Sequence, residues 1–176
     1  MIIFETERLV VKKLERSDKE YFTELFTNSN ILKLIPQEAL SEEQVSLRFN
    51  KSLKFDLRNL HSEKCALGIF EKERSELIGL ALFLINEDEQ KELGYRFREK
   101  YWGKGYGIET TKGMLNFYFN ELKEEIVTAD VNVVNVASVK ILEKFMKPVK
   151  EFYNNKADCT DRRYKIEKQT WGELLS

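Results

Sequence analysis

The chain has 176 residues, 42% hydrophobic and 34% charged, a mixture typical of a folded globular domain rather than a disordered segment. The formal net charge of −1 gives no general attraction to nucleic acid or to acidic membrane surfaces, so we expect neither as a partner. Two cysteines make neither a disulfide scaffold nor a metal-binding cluster, so we expect a reduced, cytoplasmic setting and no bound metal.

No segment has the pattern of a membrane span, a signal peptide or a linker between domains. The longest apolar run, residues 77–85, is too short to cross a bilayer. Residues 1–5 lack the basic and then apolar pattern of a secretory signal. We therefore expect residues 1–176 to form a single domain.

The first third of the chain predicts one strand and two helices. The strand covers residues 9–12, and the first helix is capped by residues 17–18. Residues 41–44 form a capping box that opens the second helix, which runs to about residue 54 or 58. Pro36 is predicted to end the segment between the two helices.

The rest of the chain predicts a three-stranded antiparallel meander followed by alternating helices and strands. The predicted elements are strands at 66–70, 77–85 and 92–97, a helix at 105–122, a strand at 126–131, a helix at 137–145, and two short strands at 152–153 and 164–166. This order predicts an α/β fold with a mixed, mostly antiparallel sheet of about six to seven strands and about four helices.

A glycine-rich turn at residues 101–108 joins the meander to the next helix. Gly103, Gly105 and Gly107 let the backbone turn tightly and approach a ligand closely. The new helix offers free N–H groups and the positive end of its dipole, which favour phosphate or pyrophosphate. The glycine spacing and the preceding antiparallel strands do not match a dinucleotide fingerprint, and the triphosphatase loop pattern is absent.

Five segments carry a resemblance to a known family. They are residues 5–9, 94–95, 101–107, 132–138 and 161–171. Together they resemble the GNAT superfamily of acetyl-CoA-dependent N-acetyltransferases, and more narrowly its ribosomal-protein N-terminal (RimJ/RimL-like) branch. The resemblance runs nearly end to end. It implies a splayed mixed sheet with acetyl-CoA in the V-shaped gap, and a primary amine as the acceptor.

The resemblance also implies which residues contact acetyl-CoA. Backbone N–H groups of residues 103–108 would hold the pyrophosphate, with Trp102 standing where the family motif has Gln or Arg. The strand at residues 95–97 would pair with the pantetheine arm. The implied cofactor contacts are Tyr95, Arg96, Phe97, Trp102, Gly103, Lys104, Gly105, Tyr106, Gly107, Ile108 and Asn135.

Acetyl transfer needs a base for the amine and a way to stabilise the leaving thiolate. By resemblance, Glu92 is the candidate base acting through water, although a solvated strand-end carboxylate is the alternative. Asn135 and Ser138 are candidates for a polar role near the sulfur, or simply helix-capping residues. Leu142 stands where many relatives carry a tyrosine acid.

Several alternatives stay open at this level. His61 is either a surface-loop residue or, on spacing alone, a partner of Cys65 in a catalytic dyad. Glu109 is most simply a charge at a helix N-terminus. The acceptor is a protein N-terminus by resemblance, or a small amine such as a polyamine, amino acid or aminoglycoside. The acidic residues available to a polycation are Glu87, Asp88, Glu89 and Glu92. The alternative to an enzyme is a non-catalytic module that senses acyl-CoA. We expect the protein to be a monomer or a homodimer.

Overall fold

The computed structural model describes residues 1–35 and 37–176, so Pro36, the predicted end of a segment, lies outside the described residues. The strands are β1 Ile2–Glu5, β2 Leu9–Lys12, β3 Cys65–Glu71, β4 Leu77–Ile85, β5 Lys91–Phe97, β6 Ile126–Asn132, β7 Lys147–Asn154 and β8 Cys159–Glu167. The helices are α1 Lys19–Thr27, α2 Ser29–Leu34, α3 Glu42–Lys54, α4 Tyr106–Asn120, α5 Val136–Leu142 and α6 Lys168–Leu175.

All eight strands form one sheet in the order β1-β2-β3-β4-β5-β6-β8-β7. Neighbouring strands are antiparallel except β5 and β6, which are parallel and share the single registered pair Glu92 and Thr128 in the described part of the chain. Among the described residues, the edge of β5 beyond Glu92 has no registered partner in β6. The sheet therefore splits into two halves at this pair, which confirms the predicted mixed sheet and leaves a gap beside residues 93–97.

Helices cover both faces of the sheet. On one face, Ile78 and Ala81 of β4 belong to the core that includes Leu115 of α4. On the other face, Leu77 and Leu80 belong to a second core formed with α1 and α3. The long apolar run of β4 is thus buried on both faces, as the sequence predicts.

The fold contains more elements than the predicted six to seven strands and four helices. β1, α2 and α6 are not among the elements predicted from the sequence. β1 has four residues and, in the described part of the chain, pairs with β2 alone. α6 has eight residues and is anchored by Trp171, which is 2% exposed. No helix in the described ranges combines the length and apolarity that a bilayer-crossing segment needs.

Two local predictions need correction. Asp18 does not cap α1 through its side chain; its carboxylate instead accepts from the Glu15 backbone N–H at 2.8 Å. α5 ends at Leu142 rather than at residue 145. A tighter turn follows the helix, in which the Phe145 N–H donates to the carbonyl three residues earlier, that of Leu142, at 3.0 Å. The capping box between Ser41 and Gln44 is confirmed.

Candidate active site

The glycine turn has the backbone geometry that only glycine adopts easily. Gly103 has φ 72° and Gly105 has φ 79°, both in the left-handed region. Gly105 precedes the first residue of α4, and the first intrahelical bond runs from the Glu109 N–H to the Gly105 carbonyl at 3.2 Å. The N–H groups of residues 106–108 therefore have no carbonyl partner within the helix and are available to an anion.

The N-terminal segment braces this turn. Arg8 donates to the Lys104 carbonyl at 2.9 Å and pairs with Glu109 at 2.7 Å. Thr6 donates to the same carboxylate at 2.6 Å. Glu109 therefore links the N-terminal segment to α4. The sequence predicts it only as a charge at a helix N-terminus. Arg8 was not identified as a site residue from sequence because its partners lie about a hundred positions away.

A cleft of about 380 Å³ lies between β5, the glycine turn and α5. Its lining includes the predicted cofactor residues Tyr95, Arg96, Phe97, Trp102, Gly103, Gly105, Tyr106, Gly107, Ile108 and Asn135. Lys104 lies outside this lining, with its Nζ 4.9 Å from the centre of the Tyr101 ring. Trp102 is fixed by a 2.9 Å bond from its indole N–H to the Phe97 carbonyl.

A second cavity of about 260 Å³ lies where the sheet splits. It is lined by Glu92, Asp130 and Asp161, among others. Both cavities share the lining residues Leu34, Ile35, Tyr95, Arg96, Asn135 and Ser138. The two cavities therefore adjoin along these six residues.

Glu92 is partly buried in the second cavity, at the pair where β5 and β6 part. Burial raises the pKa of its carboxyl to about 7, and the negative charge of Asp130 adds to the rise. A carboxyl with a pKa near neutrality is suited to accept and release protons at pH 7. Its partial burial argues against the alternative of a carboxylate in free solvent.

Asn135 and Ser138 lie at the start of α5, at the shared wall. The Asn135 side chain accepts from the Ser138 backbone N–H at 3.3 Å, so it caps the helix as the sequence suggests. Its amide donates to the Leu34 carbonyl at 3.4 Å. Ser138 Oγ accepts from the Tyr95 hydroxyl at 3.2 Å. Leu142, one turn further along, places an apolar side chain in the second cavity.

The structure argues against a dyad of His61 and Cys65. The His61 side chain is exposed, while its carbonyl accepts from Lys91 Nζ. Cys65 is buried, and burial raises the pKa of its thiol to about 12. A thiol with that pKa is not a nucleophile at neutral pH.

A buried arginine pairs with acidic residues of the turn before β5. Arg163, 2% exposed, bonds to Glu87 at 2.9 Å, Asp88 at 2.6 Å and Asp130 at 2.8 Å. Glu87 and Asp88 are therefore not free to bind a polycation, which weakens that alternative. The sequence did not single out Arg163, because a basic residue in a basic segment suggests a solvated surface.

The sequence is similar to that of known acetyltransferases. The family profile described as an acetyltransferase (GNAT) domain matches residues 8–145. A Bacillus subtilis protein named as an uncharacterized N-acetyltransferase, YnaD, is 26% identical over 140 residues, covering 79% of this chain and 78% of that protein.

Solved structures share the fold. An acetyltransferase (GNAT family) from Bacillus anthracis superposes with a TM-score of 0.80 at 24% identity, covering 96% of this chain and 99% of that one. The spermidine N-acetyltransferase from Vibrio cholerae, solved with CoA and spermine, superposes with a TM-score of 0.76 at 20% identity, covering 93% and 97%. The chain belongs to the acetyltransferase (GNAT) domain family and is an N-acetyltransferase.

Proposed function

We propose that residues 1–176 act as one domain that transfers the acetyl group of acetyl-CoA to a primary amine, by direct attack in a ternary complex. The observation that carries the proposal is the meeting of two cavities at Tyr95, Asn135 and Ser138. One cavity borders the anion-binding turn, and the other contains Glu92. A thioester in the first and an amine in the second come together at the shared wall.

The cofactor half of the proposal rests on backbone geometry. The free N–H groups at the start of α4 would hold the pyrophosphate. The edge of β5 beyond Glu92 has no registered partner in β6, so it can pair with the amides of the pantetheine arm. The CoA present in the Vibrio cholerae neighbour supports this choice of cofactor.

The chemical steps use groups at the shared wall. Glu92, acting through a water molecule, takes a proton from the ammonium group, and the free amine attacks the thioester carbonyl carbon. As the tetrahedral intermediate collapses, the carbon–sulfur bond breaks and the thiolate leaves. The Ser138 hydroxyl gives its proton to the thiolate and takes up the second proton of the nitrogen as the amide forms, so the products are the amide, the CoA thiol and one proton on Glu92 that passes to solvent. Ser138 is held in place by Tyr95 and by the Asn135 cap.

For the acceptor, we propose a protein or peptide N-terminus, as in the ribosomal-protein branch that the sequence resembles. Arg163 already engages Glu87 and Asp88, which removes two of the charges that a polyamine would need. A small polyamine is the second candidate, because the Vibrio cholerae neighbour was solved with spermine and because Asp161 lines the second cavity.

Two measurements test the proposal. Saturating acetyl-CoA, at about 100 times its dissociation constant, should raise the melting temperature by about 5–10 °C, while NAD and ATP leave it unchanged. CoA release should then be followed with peptide N-termini and with spermidine. Peptide acetylation supports the first acceptor, and spermidine acetylation alone supports the second. Binding of acetyl-CoA without acetylation of any amine contradicts the proposed transfer and favours a sensor.

A further inference from the structure

Arg96 of β5 is a buried arginine whose hydrogen-bond partners are neutral. It is 6% exposed, and its guanidinium lies 4.3 Å from the centre of the Phe26 ring. It donates to the Leu25 carbonyl at 2.9 Å and to Gln37 Oε1 at 3.1 Å. None of the ion pairs that arginines form within residues 1–35 and 37–176 includes Arg96.

The other buried arginines of the described residues, Arg98 and Arg163, are neutralised by carboxylates. Arg98 pairs with two of them and Arg163 with three. Burial lowers the pKa of the Arg96 guanidinium to about 10, and the positive charge of Arg48 adds to the fall. Because a buried charge without a counter-ion is costly, Arg96 is a place where an anionic ligand would be stabilised.

Arg96 and Gln37 also carry hydrogen-bond donors that are not used. Arg96 Nε and Gln37 Nε2 are buried and have no partner in the part of the chain that the structure describes. Buried donors without acceptors are rare in folded proteins, because each costs free energy. Both atoms are donors, and they belong to two side chains that bond to each other. A carboxylate would supply the missing acceptor oxygens and the missing negative charge together.

The second cavity, which Arg96 lines, has separated charges. Arg96 is the one positively charged residue in its described lining, and the negatively charged ones are Glu92, Asp130 and Asp161. Asp130 is held by Arg163. Among the described residues, no cation pairs with Glu92 or Asp161. The cavity therefore offers unpaired negative charge to an ammonium group and unpaired positive charge to a carboxylate.

We propose that the preferred acceptor is a peptide N-terminus with an acidic side chain in its first two residues, and that Arg96 binds this carboxylate; the inference rests on the proposed acetyl transfer. Glu92 and Arg96 lie on the same face of β5, four residues or about 13 Å apart along the strand. This separation favours an acidic side chain over the α-carboxylate of a free amino acid, which lies next to its amine. A polyamine has no group that could neutralise Arg96.

The test compares peptides that differ only by Glu or Gln at position 1 or position 2. CoA release from acetyl-CoA gives kcat/KM for each peptide with the full chain. In the better pair, the Glu peptide should be preferred by the wild type roughly tenfold or more. Arg96→Gln should remove this preference. The control Lys51→Gln makes the same change in net charge at an exposed position and should keep it.

A second variant, Gln37→Glu, tests the same site without removing Arg96. The new carboxylate has the shape of the amide that it replaces and would pair with Arg96. We expect the preference for the Glu peptide to be lost and the melting temperature to rise by about 2–4 °C, because the buried charge gains a counter-ion. The control Gln169→Glu, at an exposed position of α6, should keep the preference.

The outcomes separate this inference from the proposed function. Equal acetylation of the paired peptides by the wild type, or acetylation of spermidine alone, overturns the role of Arg96 and leaves acetyl transfer intact. A preference that persists in both Arg96→Gln and Gln37→Glu means that another residue binds the carboxylate, which also overturns it. If the wild type acetylates no amine, the proposed function fails and the inference fails with it.

Discussion

The hydroxyl groups of Tyr95 and Ser138 lie 3.2 Å apart and connect β5 to α5 across the gap where the sheet splits. Tyr95 donates in this bond, which leaves the Ser138 proton free for another acceptor. The bond lies at the wall shared by the two cavities, so its geometry fixes where that proton can be delivered. We propose this pairing as a proton source, one turn of α5 before the apolar Leu142.

We predict that Ser138→Ala lowers kcat by roughly tenfold to a hundredfold with little change in KM for acetyl-CoA, because the hydroxyl acts on the leaving thiolate. Tyr95→Phe should lower kcat less, since it positions Ser138. Steady-state kinetics at saturating acetyl-CoA measure both effects. Tyr153→Phe, an exposed hydroxyl on β7, serves as the control. An unchanged kcat in Ser138→Ala would contradict the assigned role.

The pH dependence of activity tests Glu92 as the base. Its pKa of about 7 means that the active, deprotonated form accumulates as pH rises through 7, so kcat/KM should rise over the same range. Glu92→Gln should lower kcat/KM roughly a hundredfold and remove the rise near pH 7, which is the limb of the pH profile assigned to Glu92. The remaining pH dependence should come from the ionisation of the acceptor amine near pH 8. The exposed Glu121→Gln is the matched control. If Glu92→Gln keeps the limb near pH 7, another group is the base.

The raised pKa of Glu92 also predicts how stability depends on pH: its contribution lowers the free energy of unfolding as the pH rises. Because the pKa of Glu92 is raised in the folded state from 4.5 to about 7, folding is penalised where the carboxylate is ionised. The penalty is absent below about pH 4.5 and complete above about pH 7. Glu92→Gln should therefore raise the free energy of unfolding at pH 8 by roughly 1–3 kcal/mol and change it little at pH 4.5. Urea unfolding at both pH values measures the difference, and a less stable variant at pH 8 would show that burial does not disfavour the charge.

The sequence predicts the parts of the site that depend on local pattern. Three glycines and a helix start predict the glycine turn before α4, and the apolar run of β4 predicts the central strand. Arg163 could not be predicted, because its burial depends on Glu87 and Asp88, some 75 positions away along the chain. The pKa of Glu92 is likewise invisible in the sequence, since it depends on the partial burial of β5 and on Asp130 of another strand.

Asp130 gives a separate test of the electrostatics around Glu92. Its negative charge raises the pKa of Glu92, so Asp130→Asn should move the rise of kcat/KM to lower pH by about half a unit to one unit. The shift is measured from the pH profile of kcat/KM. Asp88→Asn is the control, because it removes another partner of Arg163 without being a cause of the Glu92 shift. Movement of the limb to higher pH in Asp130→Asn would be inconsistent with this account.

The glycine turn makes the last prediction. Gly105 has φ 79°, so Gly105→Val should cost roughly 1–3 kcal/mol of stability and place a branched side chain beside the free N–H groups of α4. We expect CoA binding to be lost.

Gly105→Asn separates the two effects, because asparagine tolerates a positive φ. The stability of this variant should stay close to that of the wild type while CoA binding weakens. Gly172→Ala in α6, where an added Cβ meets nothing within 4 Å, should bind CoA normally and melt at a slightly higher temperature. Calorimetric titration with CoA, beside thermal unfolding, measures all three variants. A folded Gly105→Val protein with wild-type affinity would show that this turn does not hold the pyrophosphate.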